Sequence, residues 1–219
     1  MPESEEAWSE RLQWLRRVAA SLERLRPGEA PKDDVQKHPV RSLLSFYEGL
    51  AEWGAHDPAE VPRLRDRVRS GGVARALRDD TARNYLAGYI SETEDLADRG
   101  RYDGYRPACE HRSAIQLLID DFPEDAPLEE SLLDALADVD ETLAEAAEDA
   151  PPLHRAQIPS WAPRDHWWWW APKRTDMSMR EYRDRIFGGS LEGIDGSAPG
   201  EADWLRCGDE DCWCFTAPA

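Results

Sequence analysis

No stretch of this sequence stays apolar for the roughly 18 residues that a membrane-spanning helix needs. The opening MPESEEAWSE lacks the basic-then-apolar order of a secretory leader. The expectation is a soluble protein of the cytoplasm. Four cysteines, at 109, 207, 212 and 214, are too few and too unevenly spaced for a disulfide scaffold. Alternation of apolar and polar residues over strand-like runs is missing, which excludes a β-rich fold. The sequence contains no HExxH, no GxSxG and no Walker loop, and the glycine-rich GGSLEGIDG lacks the lysine of a phosphate loop. The pairs His56-Asp57, Glu110-His111 and Asp165-His166 are sequence neighbours, whose side chains often point apart. Nothing therefore specifies a reaction, and His166 is the first residue to test for one.

Positive charge is missing from one place in particular. The formal net charge is −18, and residues 120–150 carry thirteen acidic side chains and no basic one. Residues 1–119 and 151–219 carry net charges of only −2 and −3. Such a balance disfavours general affinity for nucleic acid or an anionic membrane and favours a basic protein partner.

What is present is helical periodicity. Trp8, Leu12, Leu15, Ala19, Leu22 and Leu25 follow the spacing of one helical face, and Pro27-Gly28 closes it. Val40, Leu43, Leu44, Tyr47, Leu50 and Ala51 make a second helix that stops at Gly54. Asp57-Pro58 reads as the cap and first residue of a third, Arg-rich helix interrupted by Gly71-Gly72. Helical spacing resumes over 73–98 until Gly100, with RYDGYRP as a loop, and again over 107–121. Over 127–149 the stripe Leu128, Leu132, Leu136, Val139, Leu143 and Ala147 opposes a second stripe of Glu130, Asp134, Asp138, Glu141, Glu145 and Glu148. Residues 176–187 read as a short helix. The fold class expected is all-α: a bundle of six or seven helices over 1–150, crossed by an extended Trp-rich strap, short helix and Cys-containing tail over 151–219.

The strap contains WAPRDHWWWWAPKR, four consecutive tryptophans between two copies of Trp-Ala-Pro. Each indole removes roughly 150–250 Å² from water when buried, so something must cover these rings. If Trp167 to Trp170 is extended, successive rings point to opposite faces, two each way, so that one pair lies on the helical body and the other meets the C-terminal tail, a partner or a flat ligand. Cys207, Cys212 and Cys214, with Cys109 or His111 as a fourth ligand, form a set that structural zinc would accept, although the spacing is not that of two CxxC knuckles.

Two functional readings follow. In the first, the protein is a non-enzymatic binder that docks the acidic stripe, with Trp168 and Trp169, onto a basic partner such as a nuclease or other effector and neutralises it, as an immunity protein or inhibitor does. In the second, Trp167 to Trp170 and His166 line a pocket for a carbohydrate or the substrate of a small-molecule enzyme.

Overall fold

The apolar stripes of the sequence become the buried faces of helices. The computed structural model describes residues 5–26, 38–53, 59–103, 105–150, 153, 158–159, 161–162 and 165–172. Among them are seven α-helices and no strand: α1 (Glu5–Glu23), α2 (Pro39–Trp53), α3 (Glu60–Arg69), α4 (Val73–Leu77), α5 (Asp80–Asp103), α6 (Arg106–Asp121) and α7 (Glu130–Asp149). None is long and apolar enough to cross a membrane. The expected cap Asp57-Pro58, the stop at Gly54 and the helix over 176–187 lie outside the described residues.

The chain divides into two compact units. The first comprises Met1–Glu92, Glu110–Leu136 and Pro159–Ala162; the second comprises Thr93–Cys109, Ala137–Ile158 and Pro163–Ala219.

In the first unit α1 packs on both α2 and α3. Leu15, Val18 and Leu22 of α1, Leu43, Phe46 and Leu50 of α2, and Val61, Leu64 and Val68 of α3 are all buried. The Trp14 ring lies against Gly49, where an added Cβ would sit 2.8 Å from its Cζ3. Gly71 and Gly72 do more than interrupt a helix. A Cβ on Gly71 would fall 2.6 Å from Glu23 Cα, and one on Gly72 would fall 2.0 Å from the Leu25 carbonyl oxygen. The end of α1 and the α3–α4 corner therefore approach backbone to backbone, at a distance only glycine permits. Ion pairs from Arg16 to Glu60 at 2.9 Å and from Arg67 to Glu23 at 2.7 Å also join α1 and α3.

The helix expected over 73–98 is two helices, and the reason is a cap hidden inside the run. The Asp79 carboxylate accepts hydrogen bonds from the Thr81 backbone N–H at 2.9 Å and from its hydroxyl at 2.8 Å. These bonds open α5 and hold Asp79 below its usual carboxylate range, the backbone bond contributing most. At the other end α5 runs on past Gly100 to Asp103, so RYDGYRP is mostly helix rather than loop.

The second unit explains that continuation. Tyr105 packs over Gly100, whose added Cβ would lie 3.5 Å from Tyr105 Cα, and donates its hydroxyl to the Leu143 carbonyl at 3.3 Å. Gly100 is buried beneath it as part of the helix. Val139, Leu143, Ala146 and Ala147 of α7, with Trp168 and Trp169, are buried in this unit. Trp167–Trp169 form one turn of 3-10 helix instead of extended chain. Trp169 and Trp170 donate their backbone N–H groups to the carbonyls of His166 and Trp167, at 3.2 and 2.9 Å, and this closes the turn.

Candidate functional site

The acidic helix forms as its periodicity demands. Leu132, Leu136, Val139, Leu143 and Ala147 are buried. Glu130, Asp134, Asp138, Glu141, Glu145 and Glu148 are all exposed. Asp138 to Glu148, the part of the face in the second unit, spans about 15 Å at 1.5 Å per residue. The last turn contains no basic side chain, so the helix ends with carboxylates at the negative pole of its own dipole. Leu133, on the flank of the acidic face, is the large hydrophobic side chain exposed among the described residues, at 50%.

The arginines of α3, which could have neutralised that face, are engaged within the first unit. Arg65 makes a two-pronged bond to Asp121, at 2.6 Å to Oδ1 and 3.0 Å to Oδ2. Asp121 is 1% exposed at its side chain and also accepts the Tyr47 hydroxyl at 2.8 Å. Burial first, and then the Asp121 carboxylate, push the Tyr47 phenol well above its ordinary value, so it remains a donor. Arg67 pairs with Glu23, Arg63 with Glu60, and Arg69 with Asp66. Before α7 begins, Arg78 reaches Asp125 and Arg83 reaches Glu129.

The tryptophans expected at a partner surface are covered. Trp168 is 2% and Trp169 0% exposed, and His166 is 1% exposed. The His166 ring stacks on Trp168 at 4.7 Å, and Trp167 meets Trp168 edge-on at 6.0 Å. Cys109 is buried and directs its thiol at the Trp168 carbonyl, 3.6 Å away. Among the described residues no group of three or more potential ligands is placed to hold a metal ion. Cys207, Cys212 and Cys214 lie outside those residues, and Cys109 and His111 have different neighbours.

His111 belongs to a feature of the first unit that the sequence reading missed. A cavity of about 420 Å³ opens between α2 and α5, with α6 supplying His111. Arg41, Leu44, Ser45 and Glu48 line it from α2, and Asn84, Tyr85, Gly88, Tyr89 and Glu92 line it from α5. The Tyr89 and His111 rings stack in parallel, 4.5 Å apart at an interplanar angle of 2°. Both groups address one carboxylate: the Tyr89 hydroxyl donates to Glu48 Oε2 at 3.3 Å, and His111 Nε2 lies 3.6 Å from Oε1. Burial first, then the Glu48 charge, raise the Tyr89 phenol well above its ordinary value. Glu48 is thus oriented yet still 38% exposed, and His111 Nδ1 is buried with no hydrogen-bond partner.

At the other end of the cavity Tyr85 packs against His38 and Arg41. His38 lies 3.9 Å from its ring and the Arg41 guanidinium carbon 5.8 Å from its centroid. His38 itself acts as a cap. Its Nδ1 accepts the Val40 N–H at 3.2 Å, so the neutral ring carries its proton on Nε2 and donates it to Thr81 Oγ1 at 3.1 Å. The Thr81 hydroxyl in turn donates a hydrogen bond to Asp79. With Nε2 already protonated, His38 is unable to take a proton from Thr81, so this His-Thr-Asp chain fastens two helix starts and does not activate a nucleophile.

No family model, curated protein or solved structure matches the chain.

Proposed function

We propose that the protein is a non-enzymatic binder that operates in the cytoplasm and docks the exposed face of α7 onto a basic protein, neutralising a nuclease or similar effector. The observation that carries this reading is the exposure of Glu130, Asp134, Asp138, Glu141, Glu145 and Glu148 along one helix. The arginines of α3 are paired with acids of the first unit. Like charges at helical i, i+4 spacing cost roughly 0.2–0.5 kcal/mol per pair, a cost that a basic partner would turn into attraction. Leu133 would add a small apolar contact at the edge of the charged face.

The test is affinity capture followed by calorimetry of the purified pair. The partner should be a basic protein, and its affinity should fall steeply between low and high salt. Combining Asp138→Asn, Glu141→Gln, Glu145→Gln and Glu148→Gln should weaken binding by roughly a hundredfold, about 2.7 kcal/mol. Unchanged affinity in that variant, or association indifferent to salt, would remove α7 from the binding surface.

A further inference from the structure

The cleft of the first unit has an order of charges that the α7 reading does not use. Arg41 and Glu48 lie on one face of α2, seven residues and so roughly 10 Å apart along the axis. Tyr85 and Glu92 repeat that separation on α5. The two series run the same way, because Arg41 sits over Tyr85 while Glu48 accepts from Tyr89. One end of the cleft is therefore cationic, the other has two carboxylates, and Leu44 with the tyrosine rings makes the middle apolar.

Gly88 supplies an independent observation. It stands inside a 24-residue helix, where glycine is less favourable than alanine, and no packing requires it: a Cβ there would meet nothing within 4 Å. The space it leaves is the cleft itself. The unpartnered, buried Nδ1 of His111 at the carboxylate end is a further polar group that the fold leaves unsatisfied. The volume of about 420 Å³ lies within the range of small-molecule sites.

We propose that this cleft binds a small linear zwitterion with an amine at one end and a carboxylate at the other, the class of ω-amino acids and short peptides. The amine lies between Glu48 and Glu92 against the face of Tyr89, where the ring quadrupole adds to the carboxylates. The carboxylate of the ligand meets Arg41, and its carbon frame crosses Leu44 and the open space above Gly88. Tyr89 and His111 are positioning residues, since they fix the Glu48 carboxylate.

Titration calorimetry of the full-length protein with 6-aminohexanoate, hexylamine and hexanoate tests the assignment. 6-Aminohexanoate should bind, hexylamine roughly tenfold more weakly or worse, and hexanoate should give no heat. Arg41→Gln should reduce 6-aminohexanoate to the level of hexylamine, and Glu48→Gln should abolish binding of both. Gly88→Leu fills the cleft and should abolish binding while the melting midpoint stays at or above that of the parent, which separates lost binding from lost fold. Any one of three results overturns the proposal: no heat from 6-aminohexanoate at millimolar concentration, equal binding of hexylamine, or undiminished binding in Gly88→Leu.

Discussion

At the scale of single residues, three tyrosines tie the fold to pH. Tyr47 donates to Asp121, Tyr89 to Glu48, and Tyr105 to the Leu143 carbonyl. All three phenols are pushed above the ordinary value of 10.0, in each case chiefly by burial. Above that pH the unfolded chain releases these protons while the folded chain retains them, so stability is full below about pH 10 and declines as pH rises further. With three such groups the limiting slope is about 4 kcal/mol per pH unit, each proton contributing about 1.36. Urea titrations between pH 9 and 11 should show the decline, and Tyr47→Phe should flatten it by about a third while costing about 1–2 kcal/mol at neutral pH for the lost bond. A pH-independent midpoint across that range would mean the phenols ionise in the folded state. None of these partners was legible in the sequence. Tyr47 and Tyr89 fit apolar stripes and read as packing, whereas their hydroxyls depend on acids 74 and 41 residues away.

At the scale of elements, most of the architecture was legible, because a helix shows its buried face as a repeat near 3.6. The limits of the reading were local. Asp79 looked like one more polar position in a helical run, but its carboxylate starts α5; Gly100 looked like a stop, but Tyr105 covers it within a continuing helix. The cleft was invisible for a different reason. Arg41, Glu48, Tyr85, Tyr89 and His111 come from three helices with no shared motif, and only packing gathers them. For α7 the sequence predicts a sacrifice of stability that can be measured. Its last turn has carboxylates and no base, and acids at a helix C-terminus cost about 0.3–1 kcal/mol each. The double variant Glu141→Gln and Glu148→Gln should therefore raise unfolding free energy by about 1 kcal/mol, counting the relief of like-charge spacing. A destabilised variant would show that these carboxylates hold the fold, and the reading of α7 as a face kept acidic for a partner would lose its support.

At the scale of the whole molecule, much of the apolar material lies beyond the helices. Of ten tryptophans, seven follow Pro152, while the helical stripes are built largely from alanine, leucine and valine. Trp161 donates its indole N–H to the Leu50 carbonyl at 3.2 Å within the first unit. In the second unit Trp168 and Trp169 are among the largest fully covered side chains. At about 25 cal/mol per Å² and roughly 150–250 Å² each, these two rings alone contribute up to about 8–12 kcal/mol, an upper bound set by the extended-chain reference. That is comparable to the 5–15 kcal/mol by which domains are usually stable. A chain truncated after Ala150 should therefore lose cooperative unfolding or melt far below the full-length protein, although it retains all seven helices in sequence. Trp168→Ala and Trp169→Ala, made singly in the full-length chain, should each cost about 3–5 kcal/mol by leaving a cavity, which separates the loss of these rings from the loss of the segment. A fragment of residues 1–150 that melts cooperatively at the full-length midpoint would show instead that the helices are complete without the tryptophans, leaving residues beyond 150 free to serve as an appended arm.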